Sequence, residues 1–443
     1  MTAGDRVHHL LYGLGTVVNS RHVGKRLQVA FDRGITFWLD AAHVSPEAGA
    51  TLFRPSLRIQ QEVHAPRSVA HDQFKARRLV EALRLGIVPE DWVSAFTYGR
   101  EAEVASIDGW LKGPEKPAVM LARGAYGSGK SHLLDYTYVS ARDQDYVVAR
   151  VRLDRISVAL DQPRKFYQAV AESLNFHVAD GCGDFEHLVR QALREGLFRQ
   201  HEHFQLLSRY DTEDMWKWAK GRTLGVSAAG DGRSVSVRLP PMPDSAKSGN
   251  IYCYLLSALG WAAQHLGRRG LFVLIDEAES VEHAGTSYRQ GRGVRFLRAL
   301  VAVANNDTRL RARACSANLV GLDLDVPGYT QGRFPWLFGD ASGIKLLFAV
   351  PDNISWSIES ELRGAEDLSV TPIDHESLRA LFNHLWPIYG RAYQTTMNDE
   401  LREFVFRRVL EVGGGTRSFV KGAVEALDLL RLHPEGHVGA MLR

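Results

Sequence analysis

The sequence predicts an α/β protein, a parallel-sheet core with a C-terminal helical lid and a small N-terminal β-barrel. Three patterns carry that prediction. Between about residues 89 and 350, apolar strand-like runs alternate with helix-spaced segments, as parallel α/β architecture requires. Beyond Pro372 the spacing is helical to the end. In the first 40 or so residues, short β-prone runs are separated by turns at Gly13, Gly24 and Gly34.

At 443 residues the chain is longer than one hydrophobic core usually supports, so two or three domains are expected. The formal charge of +3 is too small to mark a nucleic-acid binder by itself, so any basic surface must be local. Cys182, Cys253 and Cys315 are far apart and form no CxxC pair, which argues against a disulfide framework or a zinc site and suits a reducing compartment. The N-terminus lacks the apolar stretch of a signal peptide, and no apolar run reaches membrane-spanning length. A cytoplasmic protein with no membrane partner is expected.

The β-prone runs are Val7 to Leu11, Gly15 to Asn19, Leu27 to Phe31 and Ile35 to Leu39. They assign residues 1–45 to the barrel, and the Pro/Gly/Ser/His mixture at 46–70 to a linker. Ala76, Leu79, Val80, Leu83 and Ile87 share one helical face, ended by Pro89. The core is then expected over 71–365, with a long insertion at about 154–250, and an edge strand plus helical lid over 366–443. The insertion is helical around 163–175 and 184–207, and its Gly/Ser/Pro-rich end, 221–250, reads as a mobile loop.

The sharpest local signal follows the apolar run Ala118 to Ala122. Gly124-Ala-Tyr-Gly127-Ser128-Gly129-Lys130-Ser131 has full GxxxxGK[ST] spacing and leads into a helical stretch, so that these glycines with Ser128, Lys130, Ser131 and His132 are the expected nucleotide-binding residues. Glycines there let backbone N–H groups turn toward phosphate oxygens, and the helix N-terminus adds its own donors. Lys130 is the candidate for the β- and γ-phosphates and Ser131 for Mg²⁺, which makes ATP the expected ligand.

Leu271 to Ile275 is uncharged, as a strand buried on both faces should be, and ends in Asp276-Glu277. Carboxylates at such a strand end sit where α/β sheets place ligands. Asp276 is the candidate metal partner and Glu277 the candidate base that polarises water. A second apolar run, Ile344 to Val350, precedes Pro351-Asp352-Asn353. Asn353 or Asp352 is a γ-phosphate sensor if this strand is inserted centrally, or else part of an ordinary turn. Near the C-terminus Gly413-Gly-Gly-Thr-Arg417 opens a helix. A cation in the first turn opposes the helix dipole, so Arg417 either reaches an anion such as the nucleotide phosphates or lies solvated at the surface.

These motifs carry a family resemblance. Tyr98-Gly99-Arg100-Glu101-x-Glu103, LIDE and GGGTR together resemble origin-recognition and STAND-type AAA+ ATPases. More narrowly, RRLVEALRLGIVP and GAYGSGKS make roughly residues 70–430 similar to the BrxD-like ATP-binding proteins of BREX phage-defence systems. The segment around Tyr12-Gly13-x-Gly15-x-Val17 resembles Tudor-like or CarD-like domains. The resemblance implies an AAA+-type ATPase, most simply a homo-oligomer, acting on DNA beside a helicase-like partner, with RNA polymerase or another protein docking on the barrel. A nucleotide-gated switch with little turnover and an oligomeric DNA translocase remain the alternatives.

Arginines accumulate after the acidic strand. Arg292, Arg295 and Arg298 advance by three residues along a helix whose other face is apolar, while Arg289, Arg309, Arg311 and Arg313 lie nearby. DNA phosphates, a neighbouring subunit's ATP, or solvent could each be what they face. Trp216 and Trp218 could stack bases or pack in a core. His201 and His203 sit two apart on a helical pattern, pointing away from each other, which suggests surface residues rather than a metal site.

Overall fold

The computed structural model describes residues 6–9, 13–21, 26–31, 36–41, 44–46, 67–113, 117–179, 181–222, 229–230, 233–234, 239–240, 242–243, 248–283, 285–307, 310, 335–395 and 399–433. The chain forms two compact units, Met1–Ala70 and His71–Arg443.

In the first unit, β1 (Arg6–His9), β2 (Gly13–Arg21), β3 (Arg26–Phe31), β4 (Thr36–Asp40) and β5 (Val44–Pro46) pair in the order β4-β3-β2-β1-β5, antiparallel throughout. Val7, Val17, Leu27, Val29 and Phe31 form its small core. A register shift between Val17 and Asn19 bends β2, as a β-bulge does. The fifth strand was not legible in the sequence. The linker expected at 46–70 lies largely outside the described residues.

The helix α1 (Arg67–Arg84) begins at the end of the first unit and runs into the second, which continues with α2 (Glu101–Lys112), β6 (Val119–Arg123), α3 (Lys130–Asp143) and β7 (Tyr146–Arg152). Next come α4 (Pro163–Ser173), a hairpin of β8 (Phe176–Val178) and β9 (Gly181–Gly183), α5 (Phe185–Arg194) and α6 (Glu213–Ala219). A two-residue pair, β10 (Ala229–Gly230) and β11 (Arg233–Ser234), precedes α7 (Gly249–His265) and β12 (Gly270–Asp276). The unit closes with α8 (Ser287–Ala304), β13 (Ile344–Val350), α9 (Trp356–Glu361), β14 (Glu366–Ser369), α10 (His375–Tyr393), α11 (Asp399–Val412) and α12 (Thr416–Leu432). Most of the 221–250 stretch and the segment holding Arg309, Arg311, Arg313 and Cys315 lie outside the described residues.

Five parallel strands run β14-β6-β13-β12-β7. Alternation along each strand divides the core between two layers. Val119, Leu121, Val273 and Ile275 pack toward α4, α5, α7 and α8, while Met120, Ala122, Phe272 and Leu274 pack toward α2 and α3. Every residue of β12 is buried, which explains its uncharged composition. β14 takes the edge of the sheet.

A third cluster joins Ala76, Leu79, Val80 and Leu83 of α1 to Leu381, Phe382, Leu385, Phe406, Phe419 and Val424 of the C-terminal helices. The first helix of the unit therefore completes the apolar core of its last three. Polar groups close the seam. Arg84 donates to Asp428 Oδ2 at 2.7 Å, and the Tyr389 hydroxyl donates to Asp428 Oδ1 at 2.7 Å. Ile87, expected on the same buried face, lies beyond the end of α1 and is 51% exposed, because Gly86 turns the chain at φ +71°.

The helix layer meets the sheet closely at Gly260 of α7. A Cβ there would collide with the Ser342 carbonyl oxygen and lie 3.0 Å from the Gly343 carbonyl oxygen, both of them backbone atoms that cannot yield cheaply. Gly260→Ala is expected to destabilise the protein by about 1–3 kcal/mol, in the range of overpacked cores. Urea unfolding checks this through a lower midpoint at an unchanged slope.

Candidate functional site

Parallel strands all end at one edge of their sheet, so the segments after β6, β12, β13 and β7 emerge together. Register places Val350 beside Arg123 and Asp276 beside Arg152. The loop 124–129 leaves β6 and the acids leave β12, with β13 between them. Despite the intervening strand, Ser131 Oγ donates to Asp276 Oδ2 at 3.4 Å. Two residues 145 positions apart thus meet where the sequence expects a metal.

The loop backbone is held open by its glycines. Gly127 and Gly129 have φ of +81° and +99°, which side chains disfavour. A Cβ on Gly124 would meet the Val370 carbonyl oxygen and lie 2.7 Å from Ser128 Oγ. Lys130 donates to the Gly124 and Ala125 carbonyls at 2.5 and 3.0 Å, folding its ammonium back over the loop. Ser128 Oγ is buried without a hydrogen-bond partner among the described residues.

Arg100 was legible only as part of a motif, and the structure gives it a position. It is 4% exposed, pairs with Glu103 at 2.6 Å and donates to the Ser128 carbonyl oxygen. A cation this deeply buried is tolerable only with such partners. The i, i+3 spacing of Arg100 and Glu103 was the available signal. Next to it, a His132 ring nitrogen hydrogen-bonds Thr97 Oγ1 at 3.0 Å, so this ring buttresses the start of α3. Burial first, and the Arg100 guanidinium second, push the His132 imidazole down to about 4.

On the acid side, Asp276 is 8% exposed, with Arg150 at 3.5 Å from Oδ2, and Arg150 also pairs with Asp135. Glu277 adopts a left-handed conformation, φ +56°, with its N–H donating to its neighbour's Asp276 Oδ1 at 3.0 Å. Its carboxylate is paired with Arg152 on the adjoining strand. Glu279, two residues on, is a third acid that the sequence reading passed over. Burial raises its carboxyl above the ordinary range, and Lys130 opposes that rise.

The remaining candidates are distributed differently. Asn353 and Asp352 are exposed in the turn after β13, the strand that does lie centrally. Arg417 is exposed in the first turn of α12 and donates to the Leu85 carbonyl oxygen at 3.4 Å, while Gly415 approaches Gly127 so closely that a Cβ on Gly415 would lie 2.8 Å from the Gly127 oxygen. The C-terminal glycines thus touch the phosphate loop, and Arg417 lies against the Gly86 turn. Arg298 is committed to Glu361 through two hydrogen bonds, at 2.6 and 2.5 Å. Arg292 donates to the Asp161 carbonyl oxygen, and Arg295 has no ion pair among the described residues. Trp216 and Trp218 are core residues.

His201 and His203 correct the surface expectation. Both are buried, His201 stacked against Phe204 and Tyr254 and His203 against Trp218, because the chain there forms turns rather than continuing a helix. Among the described residues no group of three or more His, Cys, Asp or Glu side chains is arranged to hold a metal, and no helix is long and apolar enough to cross a membrane.

A glycine-rich loop after one strand faces carboxylates two strands away across an inserted one, on a five-stranded parallel α/β sheet. Residues 72–197, from α1 through the loop to just beyond α5, match the family model "BREX system ATP-binding protein BrxC/D". No curated protein matches the sequence. Among solved structures, domain III of the Thermotoga maritima replication initiation protein DnaA overlaps with TM-score 0.32 at 11% identity, covering 76% of this chain and 85% of that one. The E. coli MS115-1 HORMA:CdnC:Trip13 complex gives 0.38 at 14%, covering 80% and 89%, and Aeropyrum pernix ORC2 (ADPNP-ADP complexes) gives 0.34 at 12%, covering 76% and 63%. Overlaps this loose carry no further inference.

The His132 shift has a pH consequence. Its imidazole stays neutral in the folded protein down to about pH 4, whereas the unfolded chain protonates it near 6.5. The associated stability is complete above 6.5 and is lost as pH falls toward 4. His132→Gln should therefore lose less thermal stability than the wild type over that interval, as melting curves across the range will show.

Proposed function

We propose that the protein binds and hydrolyses Mg²⁺-ATP at the 124–131 loop and couples nucleotide state to DNA-linked remodelling, or to loading of a helicase-like partner, in prokaryotic antiphage defence. The observation that carries this reading is the approach of Ser131 to Asp276, which joins the phosphate-type loop to the acidic strand. The orphaned Ser128 hydroxyl, the inward-turned loop and the Lys130 ammonium form a donor set that fits phosphate oxygens. Ser131 and Asp276 supply two oxygens, the number expected where substrate phosphates complete a magnesium shell. Bound Mg²⁺ would neutralise developing phosphate charge.

Lys130 would leave the Gly124 and Ala125 carbonyls for the phosphates. Glu277 would orient the attacking water and take its proton. Arg417 and the Gly413–Gly415 segment would relay the change to α10–α12 and, through the shared apolar core, to α1. Asn353 would sense the terminal phosphate from the end of β13. Oligomerisation, a cytoplasmic setting and docking of RNA polymerase or another protein on an N-terminal barrel belong to the same reading. So do Arg292, Arg295 and Arg298 as DNA or finger residues, of which Arg295 is the least committed.

A second reading, a nucleotide-gated switch with little turnover, is favoured by the Arg152–Glu277 pair, which ties up the candidate base. Hydrolysis by the purified protein with and without DNA separates the two. Lys130→Ala is expected to lose ATP binding. Glu277→Gln is expected to keep binding while turnover falls by about 10²-fold or more, the scale of lost acid–base catalysis. DNA should stimulate the wild type only. ATP binding without turnover under every condition would leave the switch.

A further inference from the structure

Beyond the acids, the loop after β7 packs against the start of α8. Asp154 Oδ1 accepts from the backbone N–H groups of Ile156 at 2.6 Å, Val158 at 3.3 Å and Ser157. The turn is thereby pinned by its own carboxylate, and Ile156 is 82% exposed. It is seated on α8 by Arg289, which pairs with Asp161 at 2.7 Å, and at Gly293, where a Cβ would lie 3.6 Å from Leu160 Cβ. Tyr288 is 66% exposed, with the Arg292 guanidinium 5.4 Å from its ring centroid. A large aliphatic and an aromatic side chain are thus both offered to water beside the seat of this loop on α8.

The acids on this face are largely engaged: Asp154 and Glu282 hold backbone N–H groups while keeping their charge, Asp161 pairs with Arg289 and Glu277 with Arg152. Glu279 is half-buried, its carboxyl raised. Arg155 is exposed, and neither it nor Arg295 has an ion pair among the described residues. The Lys165 ammonium sits close by, donating to the Ile156 carbonyl at 3.2 Å. Cations that form no ion pair among the described residues, beside an aromatic ring, suit a polyanion carrying flat, unpaired bases.

We propose that this face binds single-stranded DNA, with backbone phosphates on Arg155, Lys165 and Arg295 and a base stacked on Tyr288 beside Arg292. An exposed ring and Ile156 can meet base faces only where these are unstacked, which favours a single strand over a duplex. The choice of DNA rests on the function proposed above, whereas the single-strand preference rests on the geometry.

Fluorescence anisotropy of a labelled oligothymidylate longer than about 16 nucleotides tests it in the full chain, beside a duplex of equal length and an oligouridylate. The wild type should prefer the single DNA strand. Tyr288→Ala should weaken binding by about 5- to 150-fold, the range for a lost stacked base. Arg155→Ala should reduce the slope of log affinity against log salt by about 0.7, one phosphate contact. Both variants should hydrolyse ATP like the wild type in the absence of DNA. Absent binding, a preference for duplex or RNA, or unchanged affinity in both variants overturns the surface. ATP hydrolysis missing from the wild type would instead fail the ATPase reading and leave the binding result to stand alone.

Discussion

The meeting of Ser131 Oγ with Asp276 Oδ2, 3.4 Å apart across an inserted strand, is the contact on which the rest of the site depends. It requires β6, β13 and β12 to be parallel and in register, so that the loop after one and the acids after another leave the sheet at the same level. That register in turn requires β12 to be apolar on both faces, since a charged residue within it would be buried without a partner. The uncharged run Leu271–Ile275 and the site at its end are therefore two consequences of one packing constraint.

Around that contact the protein places charge economically. The buried Arg100 is matched by Glu103 and the Ser128 carbonyl, and its proximity helps to keep His132 neutral. Asp276 and Glu277 each have an arginine of β7 within reach, so the acids are held by the neighbouring strand rather than by solvent. Lys130 rests on the Gly124 and Ala125 carbonyls of its own loop. The site is thus preorganised by groups that were scattered in sequence.

The same principle explains the C-terminal helices. They cannot bury their apolar faces alone, and α1 supplies the missing surface through Ala76, Leu79, Val80 and Leu83. Because Gly86 follows α1 directly and lies against Arg417, the turn out of that bundle and the first turn of α12 are in contact. Movement of either would be felt by the other.

The sequence by itself determined the local elements whose signals are local. Glycine spacing marked the loop, an uncharged run marked β12, and Ile344 to Val350 marked β13 with its ends as observed. It also carried the family likeness, since motifs are strings. Tertiary structure alone decided what depends on distant partners. It put α1 with the last helices, committed Arg298 to Glu361, buried His201 and His203 among aromatic rings, and left Ile156 and Tyr288 exposed. Periodicity tells which face of an element is apolar, but not which other element will cover it. That is settled by the packing of the whole chain, where each arginine finds the nearest carboxylate and the unpaired ones remain at the surface.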